Sequence, residues 1–342
     1  MKIRLALGLI LSCALLLSPS FAASTQYQLK AKFVLGGEGG WDYLTFDPAG
    51  KRLFVARGTR VSVIDPYKGS LIGEITNTSG VHGVALAQEL GKGFTSNGRD
   101  NTVTVFDLKT LLAIETIKVP GDGPDAIYYD AVSKRVFTFN GRSKDATIIA
   151  ATTDAVAGTI PLGGKPEFPA GDGRGMLFVN IEDTSEIASI DARKGVVANR
   201  WKLAPCEEPS GLSMDARQHR LFAVCHNKMM AVVNSQTGAV VTTVPIGQGT
   251  DASAFDPGTS LAFSSNSDGT LDVIHEDGPD KYTVLQNAAT QAGARTMALD
   301  TIDHDVYLVT ADFDMVPAAV AGQPARRTMK PGTFTLLVMS AH

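Results

Sequence analysis

One pattern recurs seven times along the chain, and it constrains the fold more than any other feature of the sequence. Each copy has a turn with Gly or Pro, then a polar residue, then a short apolar segment, as in GGWDYLTFDP and DGPDAIYYDA. Successive polar residues are 40 to 44 positions apart, and they are Asp42, His82, Asp125, Glu167, Glu208, Asp251 and Arg295. A period near forty residues with several strands per unit is typical of a β-propeller.

Each unit also contains further strand-like segments. In the first unit these are KRLFVAR, RVSVID and SLIGEI, which are short, rich in β-branched residues and separated by turn residues. No segment of useful length has the apolar period of a helix. The sequence therefore predicts an all-β fold, a seven-bladed β-propeller with four-stranded blades.

The two ends of the repeat region are predicted to share one blade. The seventh unit has a third strand, GTFTLLVM, but too few residues follow it for a fourth. The strand-like segment from Tyr27 to Leu35 has no unit of its own. We expect it to be the outer strand of the blade formed by residues 293–340, because this closes the ring and covers two sheet edges. Residues 313–332 include a Pro-, Gly- and Ala-rich stretch and are predicted to be a long loop of this blade.

Residues 1–22 have the layout of a secretory signal peptide. Two basic residues precede an apolar stretch from Leu5 to Leu17, and the small residues Ser20 and Ala22 place cleavage after Ala22. Residues 23–342 then form the propeller domain, which we expect to be periplasmic or secreted. The apolar stretch is shorter than the roughly 18 residues that a membrane span needs. No later segment is long and apolar enough either, so no membrane span is expected after cleavage.

Charge and missing motifs exclude several classes of function. Removing Lys2 and Arg4 with the signal peptide changes the formal net charge from −4 to −6. A mildly acidic chain without a basic stripe argues against nucleic acid as a partner. The sequence contains no GxSxG, HExxH or CxxCH, which excludes the common serine-hydrolase, zincin and c-type haem classes.

The seven polar residues are predicted to meet at one mouth of the central channel, because the first strand of each propeller blade lines that channel. The expected ligand is a small molecule or an ion. Trp41, like Tyr43 and Phe168, flanks the ring and could pack against an organic ligand, the alternative being ordinary packing between blades. The candidate ligand-binding residues are Trp41, Asp42, His82, Asp125, Glu167, Glu208, Asp251 and Arg295.

The ring is compatible with a metal site. Hard cations take carboxylate oxygens, and imidazole together with carboxylate suits zinc, iron or manganese. The preferred metal ligands are Glu167, Glu208 and His226, with His82 next, and a divalent metal ion is the candidate cofactor. In the alternative, the channel mouth is filled with water, and its arginines balance the acids.

Cys206 and Cys225 are the two cysteines that remain after removal of the signal peptide. Exported proteins reach compartments where disulfides persist, and both residues fall in the fifth unit near the same face. We predict a bridge between them. The alternatives are two buried thiols, or Cys225 acting with His226 as a metal ligand.

The repeats VSVIDPYKGSLIGEI and NGRDNTVTVFDLKTLLAIETIKV resemble those of the bacterial YVTN-type seven-bladed β-propeller family, over nearly all of the mature chain. This resemblance implies an exported propeller related to periplasmic binding proteins and, more distantly, to lactonase-like enzymes. We therefore predict a periplasmic binding or scaffold protein, with other periplasmic proteins as further candidate partners. The alternative is a metal-dependent hydrolase or lyase, in which Asp125 or His82 would move the proton.

Overall fold

Seven four-stranded antiparallel sheets form the blades of a propeller in a computed structural model that describes residues 26–316 and 326–341. Each of blades 1 to 6 is a meander in which consecutive strands pair from the inner strand to the outer one. The predicted all-β, seven-bladed architecture is thus confirmed. The predicted signal peptide lies outside the described residues.

The strand bounds follow the predicted units closely. Blade 1 contains β2 (Leu44–Asp47), β3 (Arg52–Ala56), β4 (Val61–Asp65) and β5 (Ser70–Ile75). Blade 2 contains β6 (Val81–Ala87), β7 (Lys92–Asn97), β8 (Thr102–Asp107) and β9 (Ala113–Lys118). Blade 3 contains β10 (Pro124–Asp130), β11 (Arg135–Asn140), β12 (Asp145–Ala150) and β13 (Ala155–Pro161). Blade 4 contains β14 (Pro166–Gly171), β15 (Met176–Ile181), β16 (Glu186–Asp191) and β17 (Val196–Lys202).

The remaining blades repeat this arrangement. Blade 5 contains β18 (Pro209–Asp215), β19 (Arg220–Cys225), β20 (Met229–Asn234) and β21 (Val240–Pro245). Blade 6 contains β22 (Thr250–Asp256), β23 (Leu261–Asn266), β24 (Thr270–Gly278) and β25 (Lys281–Ala289). Blade 7 contains β26 (Met297–Asp300), β27 (Asp305–Thr310), β30 (Thr335–Ala341) and β1 (Tyr27–Val34). The helices of the described residues are two short 3₁₀ turns, Gln88–Leu90 and Glu182–Thr184.

The hydrophobic core lies between neighbouring blades. Phe54 of blade 1 packs near Phe106 of blade 2, with their ring centroids 5.9 Å apart, inside a cluster of buried side chains from both sheets. The middle strands are buried on both faces because each sheet is covered on both sides, whereas the outer strands are largely exposed. This packing holds the inner strands, and the residues at their starts, in a fixed ring.

The N-terminal strand closes the ring. β1 pairs antiparallel with β30 and is the outer strand of blade 7, in the order β1-β30-β27-β26. The predicted role of the segment from Tyr27 to Leu35 is therefore confirmed. Its first residue, Tyr27, is buried and contacts Phe263 of blade 6 edge to face at 5.0 Å.

The prediction of a loop over residues 313–332 is wrong at the two ends of that segment. β28 (Phe313–Val316) and β29 (Arg326–Met329) pair as an antiparallel ribbon that projects from blade 7. The Pro, Gly and Ala content that indicated a loop is concentrated between these ends. Phe313 packs beside Trp41, with ring centroids 6.0 Å apart, so the ribbon extends blade 7 toward the predicted mouth.

Cys206 and Cys225 form the predicted disulfide, with their Cα atoms 5.7 Å apart. The bridge links the loop before β18 to the end of β19, and both residues are buried. A bonded Cys225 is not free to ligate a metal as a thiolate, which removes the alternative of Cys225 with His226. No helix within residues 26–316 or 326–341 is long and apolar enough to span a bilayer.

Candidate functional site

Irregularities in the pairing of the first two strands of a blade set the positions of the polar ring residues. Near the start of each of several inner strands, the pairing with the second strand shifts register, and the polar ring residue lies inside the irregular stretch. Such a β-bulge bends the strand and re-aims a side chain, and bulges are common beside functional sites. The residues placed in this way are His82, Asp125, Glu167 and Asp251.

In blade 5 the structure places Ser210, and not Glu208, at the equivalent position. The register shift of β18 lies between Pro209 and Leu212, so Ser210 follows Pro209 as Asp125 follows a proline in blade 3. Glu208 lies before the strand with a φ of 49°, and its side chain is 66% exposed. The proline that precedes the ring residue in blades 3 and 5 could have identified Ser210 from the sequence. The spacing could not, because Glu208 and Ser210 both fit a period near forty.

Hydroxyl groups of neighbouring blades fix the backbone of the ring. Ser96 near the end of β7 in blade 2 donates to the carbonyl of Asp125 in blade 3, and Ser265 of blade 6 donates to the carbonyl of Arg295. Ser210 donates to the carbonyl of Asp251 at 3.1 Å. The ring carbonyls are thus bonded between blades, which holds the attached side chains in register.

Three ring residues from consecutive blades form the closest cluster. Asp42, His82 and Asp125 each offer one ligand atom, and these atoms lie within 4.8 Å of one another. His82 Nδ1 is 2.6 Å from Asp42 Oδ2 and 3.6 Å from Asp125 Oδ1. Gly98 leaves room for the imidazole group of His82, because a Cβ at position 98 would lie 2.7 Å from His82 Nε2. We call these three residues the mouth triad.

Glu167, Glu208 and His226, the metal ligands predicted from the sequence, do not form a comparable cluster in the structure. His226 Nδ1 lies 3.4 Å from Glu208 Oε2, but both side chains are exposed. Glu167 instead pairs with Lys165 at 2.7 Å. Among the described residues, the mouth triad is the one group of three or more His, Cys, Asp or Glu side chains whose ligand atoms are close enough to share an ion. Binding by Glu167, Glu208 and His226 stays a prediction.

The charge of the mouth triad depends on His82. Burial is the largest single influence on its pKa and lowers it, but the hydrogen bond to Asp42 and the charges of Asp125 and Asp42 outweigh burial, and Arg142 opposes them. The pKa of His82 is therefore raised. Without another cation, a protonated imidazole balances part of the negative charge of the two aspartates.

Three carboxyl groups at the mouth, one of them in the triad, are poorly compensated by positive charge. Burial raises the pKa of Asp125 to about 6, with His82 opposing and Asp42 adding to the shift. Burial likewise raises the pKa of Asp251 to about 6, although Arg295 Nε lies 3.6 Å away. The pKa of Glu167 rises to about 8 through burial and the charge of Asp125, against the pull of Lys165. Carboxylates from blades 1, 3, 4 and 6 therefore act on one another across the mouth.

Lys165 is a charged residue of the mouth that the repeat pattern does not reveal. Its ammonium group lies between Glu167 and Glu182, and it is bonded to both. It is two residues before Glu167 in GGKPEF, a position that the repeat pattern treats as part of the turn. A lysine there reaches the mouth because its side chain is long and flexible.

Aromatic side chains crowd the region of the ring. Tyr43 of blade 1 and Phe168 of blade 4 contact each other with ring centroids 4.3 Å apart, so residues of distant blades meet across the channel. For these two, the structure favours the packing interpretation. Trp41 packs near Phe334 at 5.5 Å, and with Arg295 and Phe313 it also lines an open cleft of about 390 Å³.

The asparagines that end the second strands do not line the mouth. Asn97, Asn140, Asn180 and Asn266 are fully buried. Asn97, for example, donates to the hydroxyl of Thr104 at 2.9 Å within its own blade. Their amide nitrogens donate to residues of their own or the next blade, so these asparagines add no polar groups to the mouth.

Comparisons with known proteins support the architecture and nothing finer. No family model matches the sequence, and no curated protein matches it significantly. The chain is similar in structure to U3-55K, with a TM-score of 0.74 at 8% identity, over 91% of this chain and 98% of that one. It is also similar to the WD40 repeats of RRP9, with a TM-score of 0.76 at 9% identity, over 92% and 100%. At such identities the likeness shows the fold alone.

Proposed function

We propose that this propeller is an exported binding protein that holds a divalent metal ion at the mouth triad. The observation that carries the proposal is the convergence of Asp42, His82 and Asp125, whose ligand atoms lie within 4.8 Å of one another. Two carboxylates and an imidazole are a suitable donor set for zinc, manganese or iron. Three ligands from one side would leave further coordination positions for a small molecule in the channel.

The electrostatics of the mouth support a cation there. Four ring carboxylates, Asp42, Asp125, Glu167 and Asp251, influence one another, and three of them have raised pKa values. Burial is the largest cause of each shift, and the cationic groups nearby offset it only in part. Lys165 and Arg295 supply part of the positive charge, at Glu167 and Asp251. A divalent ion at the triad would supply the rest and displace the proton of His82.

The location and the family are proposed on separate grounds. The signal-peptide pattern of residues 1–22 and the bridge between Cys206 and Cys225 both support export to the periplasm or beyond. The repeat sequences support membership of the YVTN-type family. A small ligand at the mouth and other periplasmic proteins remain the proposed partners, and the acidic charge argues against nucleic acid.

A metal-dependent hydrolase or lyase is the second candidate, and Glu167 is the residue that favours it. A carboxyl group with a pKa of about 8 keeps its proton at neutral pH, as a general acid must. A metal ion would lower the pKa of a bound water molecule or polarise a carbonyl group. Glu167 would then protonate the leaving group, with Lys165 setting its orientation, and Asp125 would take up a proton only where it is not a ligand.

Equilibrium dialysis against zinc and manganese, followed by metal analysis, tests the binding function. We expect one ion per chain, and a loss of affinity of about tenfold or more in Asp42→Asn, because a charged ligand is removed. Glu208→Gln is the matched variant, and it should bind as the parent does. Loss of binding in Glu208→Gln with retention in Asp42→Asn would reject the mouth triad in favour of the ligands chosen from the sequence.

The enzyme candidate has its own test. Metal-loaded protein is screened for hydrolysis of lactones and esters, and any activity is compared with that of Glu167→Gln. As a general acid, Glu167 should contribute about 10²-fold or more to kcat, and its removal should abolish the basic limb of the pH profile near pH 8. If Glu167→Gln retains full activity, Glu167 is not the general acid. If the protein binds metal but hydrolyses none of these substrates, the result favours the binding function over the enzyme candidate.

A further inference from the structure

A separate cavity lies between blades 1 and 7, and no residue of the polar ring lines it. Its volume is about 210 Å³, enough for a small organic molecule but not for a large cofactor. The charged groups of its lining are Arg57, Arg60 and Glu74. Its apolar lining includes Ile64, Leu71 and Phe334.

Arg57 is a buried cation in the wall of this cavity. Its side chain lies at the end of β3, the residue is only 3% exposed, and the guanidinium group stacks 3.5 Å above the ring of Phe334. Nε donates to the carbonyl of Gly40, and Nη2 donates to the carbonyls of Glu38 and Gly39. No described group accepts a hydrogen bond from Nη1, so this nitrogen is available to a ligand.

Arg57 has no carboxylate partner within 4 Å among residues 26–316 and 326–341. Arg220, the other buried arginine of the described chain, provides the contrast. It also donates to three backbone carbonyls, but it pairs with Asp280 at 2.9 Å. A buried charge without a counter-charge is destabilising. Burial and the nearby charge of Arg60 lower the pKa of Arg57 to about 10, and Glu74 offsets this only in part.

Arg60 adds to the positive charge of the cavity. Its Nε pairs with Glu74 Oε1 at 2.7 Å, and its Nη2 donates to the carbonyl of Glu38 at 3.2 Å. Glu74 also accepts a hydrogen bond from Ser62, so it is already engaged and does not reach Arg57. Two arginines and one glutamate leave the cavity with one surplus positive charge.

We propose that this cavity is a second ligand site, which binds a small aliphatic monocarboxylate. Arg57 Nη1 and the free donors of Arg60 would hold the carboxylate group, as paired guanidinium groups commonly do. One negative charge on the ligand equals the surplus positive charge. The aliphatic chain of the ligand would lie against Ile64, Leu71 and Phe334. This site is independent of the metal proposed at the channel mouth.

Calorimetric titration with sodium butyrate tests the proposal on the chain that lacks residues 1–22, in a buffer without chloride or phosphate. We expect saturable binding at one site. Arg57 holds three carbonyls of a loop, so its variants are poor first tests. Arg60→Gln should weaken binding about tenfold or more, because a charge-assisted hydrogen bond is lost. Glu74→Gln should tighten it severalfold, because the competing carboxylate is gone.

Controls separate this site from the channel mouth. Arg142→Gln removes an exposed arginine that pairs with Asp122 at 2.8 Å and does not line the cavity, so butyrate affinity should not change. Binding should also persist after treatment with a chelator. The proposal is overturned by the absence of saturable binding, by equal affinity in the parent and both cavity variants, or by binding that the chelator abolishes. Binding of inorganic phosphate without binding of butyrate would reject the carboxylate class.

Discussion

Replacement of Tyr27 by alanine is expected to lower the free energy of unfolding by about 3 to 5 kcal/mol, as for other large buried aromatic side chains. Tyr27 is 1% exposed, packs edge to face on Phe263 of blade 6, and donates its hydroxyl to the carbonyl of His304. Its backbone is also bonded at N and O to the side chain of Gln286. One residue thus ties the closing strand to two blades.

Thermal and urea unfolding measure this effect. At about 2 to 4 °C for each kcal/mol in a domain of this size class, Tm should fall by roughly 10 °C. Leu29→Ala is the control, because Leu29 belongs to the same strand but is 49% exposed, and it should change stability by less than about 1 kcal/mol. Equal Tm values for the parent and Tyr27→Ala would mean that β1 does not close the ring in solution.

Closure could be predicted from the sequence because it follows from counting strands. Seven inner strands, a missing fourth strand at the C-terminus and an unused strand at the N-terminus leave one economical arrangement, and β1 pairs with β30 accordingly. The ribbon of β28 and β29 could not be predicted in the same way. The two strands of the ribbon are only four residues long, and a Pro- and Ala-rich stretch separates them. The composition of the whole segment therefore indicated a loop.

For the site, the sequence predicts only which blade carries each residue. The period places Asp42, His82 and Asp125 on consecutive blades, which makes them neighbours, but it does not give the direction of each side chain. That direction comes from the bulges at the starts of the inner strands and from hydroxyls such as Ser96, which depend on tertiary contacts. Glu208 and Ser210 both fit the period, and it is the proline before Ser210 that marks the ring position in blade 5.

Charge partners were also hidden from the sequence. Glu167 is predicted to be a metal ligand from its position in the repeat, yet its carboxyl group is paired with Lys165 at 2.7 Å. Arg57 directly follows the second strand of blade 1, and its guanidinium group is buried over Phe334 in a cavity separate from the mouth. Long cationic side chains reach several ångströms from their backbone, so repeat position alone does not assign them to a site.

Asp125→Asn is expected to change stability in opposite directions with and without metal. In chelator-treated protein at pH 8, the variant should be more stable than the parent by about 2 to 3 kcal/mol, because the carboxyl pKa of about 6 lies above its unfolded value of 3.8. A raised acid pKa means that the folded state binds the proton more tightly. Its stabilising effect is therefore present at low pH and is lost as the pH rises through 6. The advantage of the variant should shrink to about half at pH 5.

With zinc or manganese at 100 to 1,000 times its dissociation constant, the order should reverse. The parent should then gain about 3 to 4 kcal/mol through ligand binding to the folded state, and Asp125→Asn should gain little because a ligand is missing. Asp251→Asn is the matched control. Its pKa is also raised to about 6, so it should be stabilised without metal, but it is outside the mouth triad and should keep the full response to metal. If parent, Asp125→Asn and Asp251→Asn all respond equally to metal, the ion binds elsewhere. If none responds, the mouth is an acidic channel balanced by His82, Lys165 and Arg295 alone.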